Sequence, residues 1–163
     1  MAFGKKSRIA IVGSGFVGGS ISIALSRAGY PVVAAASRTF ASASLIESKV
    51  EGCQAVQTIQ EAADLADVVF ITTPDDYIAA TASSITWRRG QGVVHCSGAA
   101  SLDVFDGVAG IGVVPGALHP LQAFSSMDTG AESISGITFG IEGGEDMKSY
   151  LNVMALDLGA NPI

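Results

Sequence analysis

The sequence predicts an α/β domain built as a doubly wound, mostly parallel sheet with helices on both faces. Three observations predict it. Short, continuously apolar runs such as RIAIV (Arg8–Val12), VVAAA (Val32–Ala36) and DVVFIT (Asp67–Thr72) suit strands buried on both faces. Stretches of helical periodicity separate these runs, the alternation that a parallel sheet with crossover helices requires. A glycine-rich turn follows the first run at once. With 163 residues the chain can enclose one sizeable core, so residues 1–163 read as a single domain.

Each element follows from local pattern. After RIAIV, small or apolar residues at Val17, Ile21, Ala24, Leu25 and Ala28 trace one face of a helix. Gly29 stops that helix and Pro31 prevents its resumption. Val32–Ala36 is a second strand and Ala41–Val50 a second helix, and Cys53–Val56 carries a weak strand signal. Glu61–Ala66 reads as helix, Asp67–Thr72 as a strong strand, and Thr73-Pro74-Asp75 opens a helix reaching Ser84. Asp75 and Asp76 suit a helix start, where acids complement the dipole. Gly92–Cys96 is a fifth strand, Gly110–Val114 a sixth, and Ile137–Ile141 a further one. Glu145–Leu158 reads as the last helix, and Ala160–Ile163 as extended.

In such sheets ligands lie beyond the carboxyl ends of the strands, where strand order reverses. The turn there, Gly13-Ser14-Gly15-Phe16-Val17-Gly18, has the G-x-G-x-x-G spacing between a strand and a helix. Gly13 permits a tight turn, Gly15 lets a pyrophosphate approach the backbone, and Gly18 allows close helix–strand packing. Free N–H groups and the helix dipole then face the anion. The turn therefore predicts a dinucleotide site, with a ligand-free structural turn as the alternative.

The second strand ends on Ser37-Arg38-Thr39 rather than on an acid. An acid at that point accepts from a free ribose 2′-OH and repels a 2′-phosphate. Two hydroxyls and a guanidinium suit the phosphate, so the expected cofactor is NADP(H). An S-adenosylmethionine site is disfavoured by the same missing acid. Thr39 and Ser37 have a competing role as caps for the helix that follows, and Arg38 has one as a solvated charge.

Charge supports a small anionic ligand. The first 46 residues contain no Asp or Glu and carry +5, whereas the remainder carries −11. The overall charge of −6 argues against nucleic-acid binding. Lys5 and Lys6 read as solvated lysines near the terminus. Gly13, Ser14, Gly15, Gly18 and Gly19 interrupt the first apolar run, which weakens signal-peptide and membrane-span readings. Cys53 and Cys96 form no C-x-x-C, and a cytoplasmic location without metal is expected.

With these residues in view, the chain resembles the 6-phosphogluconate-dehydrogenase-like group of Rossmann proteins. The resemblance rests on IAIVGSGFVGGSISIALSRAG, on Ser-Arg-Thr after the second strand, and on DVVFITTPDD. Pyrroline-5-carboxylate reductases and 3-hydroxyisobutyrate dehydrogenases have similar openings. VVHCSGAASLDVF and GALHPLQAF are similar to a narrower set: NADP-dependent oxidoreductases with a Rossmann-like domain and a C-terminal domain of unknown function. The resemblance implies hydride transfer between nicotinamide and the carbonyl or imine of a small metabolite. It also implies a helical C-terminal domain, which commonly forms a dimer and completes the pocket. That domain is expected to be absent from this chain, which stops at LGANPI.

Within that frame, Thr73 and Pro74 line the cofactor's edge, and Ser97 and Gly98 lie near the nicotinamide. Ser97 and His119 are the candidate catalytic residues. His119, in a loop-like stretch before Pro120, could protonate or orient a substrate, or merely stabilise the loop. Gln122 is a polar substrate contact or plain surface. His95 and Cys96 are adjacent on a strand and point to opposite faces, so they form no dyad. Two rival functions stay open: a non-catalytic or redox-sensing NADP(H) module, and a deazaflavin-dependent NADP reductase.

Overall fold

The computed structural model describes residues 3–163. Strands and helices alternate from the start: β1 (Ile9–Val12), α1 (Phe16–Arg27), β2 (Val32–Ala36), α2 (Phe40–Lys49), β3 (Gln54–Ala55), α3 (Ile59–Asp64) and β4 (Val68–Ile71). The pattern continues through α4 (Ile78–Ser83), β5 (Gly92–His95), α5 (Asp106–Ala109) and β6 (Val114–Pro120). It closes with α6 (Met127–Ser133), β7 (Thr138–Gly143), α7 (Glu145–Asp157) and β8 (Asn161–Pro162). Short 3-10 turns at Asp75–Tyr77 and Leu102–Phe105 precede α4 and α5.

All the strands join one sheet in the order β3-β2-β1-β4-β5-β6-β7-β8. Pairing is parallel from β3 to β6, and β7 turns antiparallel against β6. Strand order reverses between β1 and β4, which places a crevice at their carboxyl ends.

Alternation along each strand divides the core between the two faces of the sheet. Ile9, Ile11, Val68, Phe70 and Val94 pack with Ile21 and Leu25 of α1 and with Met147, Leu151 and Met154 of α7. Ala10, Val12, Val69, Ile71 and Val93 face the other way, onto Ala62, Ala63, Ile78, Ala82, Phe105 and Val108. Phe70 is fully enclosed, and burial of such a side chain contributes about 1.5–3 kcal/mol. Among the described residues no helix is long and apolar enough to cross a membrane.

Two regions differ from the sequence reading. The sixth strand spans Val114–Pro120 rather than Gly110–Val114, despite prolines at 115 and 120. Their positions explain the tolerance. Val114 donates its N–H towards β5, to Gln91 O, and alternate residues then face β5 and β7. Position 115 would donate towards β7 just before that pairing begins at Gly116–Gly143, and position 120 towards β5 beyond its last pair, His95–Ala117. Neither missing N–H breaks a ladder bond.

The second difference is α6, which packs on α1. Gly19 leaves the space that Met127 fills, and Gly130 leaves the space for Ser20. Ser20 Oγ donates to Ser126 O at 3.2 Å.

Candidate functional site

The carboxyl ends of β1, β2, β4 and β5 bring the turns that follow them to one edge of the sheet. Backbone bonds join the first three: Gly13 N–H donates to Ala36 O and Thr72 N–H to Val12 O, each at 2.8 Å.

The glycines of the turn serve different needs. Gly13 has φ +99°, and a Cβ there would lie 2.8 Å from Thr72 C and Thr73 N. A Cβ on Gly18 would strike Thr72 Oγ1 and Gly13 O. The fold itself therefore demands both. Thr72 opens the Thr72–Asp76 stretch that its place at the carboxyl end of a strand marks for ligand binding, and it pins the turn by donating from Oγ1 to Gly13 O at 2.6 Å. That bond to the turn had no sequence signal.

Gly15 is different, because a Cβ there would meet nothing within 4 Å. It is the N-cap of α1 and supplies no side-chain acceptor to the first turn, which carries no acid. Those N–H groups remain available for an anion. Ser14 Oγ and Thr73 Oγ1 are buried beside this turn with no partner among the described residues. Two orphaned hydroxyls and an uncapped helix start fit a bound pyrophosphate. Phe16 adds a ring that is 53% exposed at the mouth of the turn, and Val17 packs against the core.

At the end of β2, Ser37 is half-buried while Arg38 and Thr39 are exposed. Thr39 is the N-cap of α2: its Oγ1 accepts from Ser42 N–H at 3.3 Å and bonds Ser42 Oγ at 2.7 Å. Arg38 forms no ion pair among the described residues. Past β4, Pro74 is exposed, and Asp75 and Asp76 open the 3-10 turn before α4.

The end of β5 is built around His95. Its Nδ1 accepts from Ser97 N–H at 3.0 Å, which leaves Nε2–H to donate to Ser101 O at 3.2 Å. The ring is fully buried, and burial lowers its pKa, so the histidine is held neutral as a structural strut. Ser97 Oγ accepts from Ala99 and Ala100 N–H, each at 3.1 Å. The hydroxyl expected near the chemistry thus also shapes the loop around exposed Gly98. The Cys96 thiol is pushed up to about 12 by burial, which makes it inert.

His119 lies on β6 in register with Gly140 of β7, not in a loop as its Pro-flanked sequence suggested. The strand extends because Pro120 falls where no N–H is needed. Half-buried, His119 places Nδ1 3.4 Å from Cys96 O, and its ring packs against Gly98. Gln122 is exposed just beyond the strand.

Known structures share this architecture. A putative NADP oxidoreductase from Bacteroides fragilis superposes with a TM-score of 0.84 at 24% identity, covering 98% of this chain and 61% of that one. A reductive aminase from Aspergillus terreus, in complex with NADPH and ethyl-5-oxohexanoate, gives 0.76 at 14% identity, covering 97% and 54%. Prephenate dehydrogenase from A. aeolicus, with hydroxyphenyl propionate and NAD+, gives 0.71 at 20% identity, covering 96% and 59%. The chain therefore spans little more than half the length of these structures. No curated protein sequence matches it. The Rossmann-like domain family model matches residues 4–120, from before β1 to the end of β6. That match covers the glycine turn and every strand end that forms the crevice, and the chain belongs to the Rossmann-like domain family.

Proposed function

We propose that this domain binds NADP(H) as the cofactor-binding part of an oxidoreductase acting on the carbonyl or imine of a small metabolite. The observation that carries the cofactor assignment is the end of β2. Arg38 stands exposed and without an ion pair among the described residues, in a segment that has no acid before Glu47. A guanidinium there pairs with a 2′-phosphate, and an acid that would select a free 2′-OH is missing. Gly13–Gly18 hold the pyrophosphate through backbone N–H groups, and Ser14 and Thr73 offer their unpartnered hydroxyls. The bound nicotinamide supplies the hydride donor or acceptor. The β5 loop at Ser97 and Gly98 lies near it, and His119, seated in the space that Gly98 leaves, presents an imidazole that can hold or release a proton.

The three similar structures are longer than this chain. A helical domain that completes the substrate pocket and forms a dimer belongs to the same proposal.

Titration of the protein with NADPH and NADH tests the cofactor assignment. Arg38→Ala should weaken NADPH by about ten- to a hundredfold, the worth of a charge-assisted pair, and leave NADH unchanged. Equal affinity for the two cofactors, untouched by Arg38→Ala, would overturn it.

One observation favours a second reading, a non-catalytic NADP(H) module. Ser97 Oγ is engaged by two backbone N–H groups and His119 packs on Gly98, so the described residues show no acid–base pair. Hydride exchange with a panel of carbonyls and imines separates the two. The assay uses a protein long enough to include any second domain: turnover that His119→Ala abolishes while NADPH binding survives supports the enzyme, and no exchange by that longer chain supports the module.

A further inference from the structure

Five of the nine Lys and Arg residues, Lys5, Lys6, Arg8, Arg88 and Arg89, lie just before β1 and β5. They gather at the amino ends of the strands, opposite the glycine turn. None occurs between Gly90 and Met147. A cavity of about 380 Å³ opens in this basic region, lined by Phe3, Lys6, Asp67, Arg88, Arg89 and Gln91 among others. That volume falls in the range of small-ligand clefts.

The cavity's charges are unevenly compensated. Its one carboxylate, Asp67, is engaged by Arg8 through the backbone N–H at 2.8 Å and the guanidinium at 3.2 and 3.0 Å. Arg88 is oriented by neutral acceptors: it donates to Ala66 O at 2.6 Å and to Asp64 O and Ala63 O at 3.4 and 3.5 Å. Carbonyls fix a guanidinium in place without pairing its charge, and beyond a longer-range attraction to Asp67 the Arg88 charge has no ion pair among the described residues. Gln91 stiffens the same wall, since Oε1 accepts from Arg88 N–H while Nε2 donates to Ala63 O and Ala66 O. The Asp64 carboxylate accepts from Gln60. Lys6 and Arg89 form no ion pair among the described residues. Three cations around a concave surface on a protein of charge −6 focus a positive potential there.

We propose that this cavity is a second binding site, for a small molecule that carries a phosphate or carboxylate group beside an apolar or aromatic part. Arg88 supplies the preorganised charge, Lys6 and Arg89 close on the anion, and Phe3 forms the apolar wall. The site is separate from the cofactor crevice. Asp67 precedes β4 and Thr72 follows it, so the two sites lie roughly 16 Å apart at opposite ends of one strand.

Phenyl phosphate, inorganic phosphate and benzoate are the probes, read by amide chemical shifts of the whole chain. Saturable shifts at Ser7, Gly90 and Gln91 are expected, on an isotherm distinct from any at Gly13–Gly18. The double variant Lys6→Ala/Arg89→Ala should weaken that binding about tenfold or more. Both side chains are exposed, so its melting temperature should match wild type. Phenyl phosphate binding tighter than benzoate assigns a phosphate ligand, the reverse a carboxylate, and either supports the site. Shifts confined to the glycine turn, no shifts at all, or an isotherm unchanged in the double variant would overturn it.

Discussion

Gly98 and His119 share one space: a Cβ built on Gly98 would lie 2.8 Å from Cδ2 of the His119 imidazole and closer still to Nε2 and Cε1. The β5 loop and β6 are thereby coupled through the absence of one carbon. Gly98→Ala should expel the ring and destabilise the domain, and His119→Ala should relieve much of that cost. Urea denaturation of the two single variants and the double variant should give a coupling of about 0.5–3 kcal/mol. Strictly additive effects would show that the ring moves freely.

The glycine turn separates stability from binding. Gly13→Ala combines a positive φ with backbone contacts at 2.8 Å, so it should cost about 1–3 kcal/mol or more. Gly15→Ala meets nothing within 4 Å and only replaces the N-cap of α1 with a poorer one, so it should cost at most about 1 kcal/mol, less than Gly13→Ala. Its added methyl should nevertheless obstruct NADPH. Thermal melts and NADPH titration of both variants check the pair; equal destabilisation would refute the distinction.

His95 predicts a pH dependence. Burial lowers its folded-state pKa below the ordinary 6.5, so the unfolded chain takes up its proton first on acidification. Its contribution to stability is complete above about pH 6.5 and declines as pH falls towards the folded value. His95→Gln keeps an acceptor for Ser97 N–H and a donor for Ser101 O without titrating. The stability difference between wild type and variant should shrink from pH 7 to 5, with a slope of at most about 1.4 kcal/mol per pH unit. A difference constant over that range would mean that the histidine titrates normally.

Neither cysteine should react in the native state. Burial raises the Cys53 thiol to about 11, with Glu47 adding to the shift, and raises Cys96 to about 12. Iodoacetamide at about pH 8 should leave both unmodified by mass spectrometry until denaturant is added. Rapid native labelling of half-buried Cys96 would contradict the raised pKa of its thiol.

How much was legible differs from element to element. β1, α1 and β2 could be read closely because strand, glycine turn and helix each have short-range signatures within one continuous stretch. β6 could not, because Pro115 and Pro120 look like strand breakers until the neighbouring strands show which N–H groups are needed. α6 is short, contains Gly130, and owes its place to packing on Gly19 and Ser20 more than a hundred residues earlier. Ser126 was its one local sign, an N-cap accepting from Thr129 N–H at 3.1 Å.

The same division runs through the candidate site. The sequence by itself determined the α/β class, the G-x-G-x-x-G turn and the acid-free Ser-Arg-Thr, since adjacent residues set backbone freedom and local charge. Only the tertiary structure decided that Thr72 pins Gly13, that Ser97 braces its own loop, and that His119 lies on a strand against Gly98. It also decided that Arg88, held by carbonyls at the end of α3 and just after it, lines one cavity with Lys6. Each of these depends on which strands become neighbours, and that is set by burying both faces of the sheet at once rather than by any local pattern.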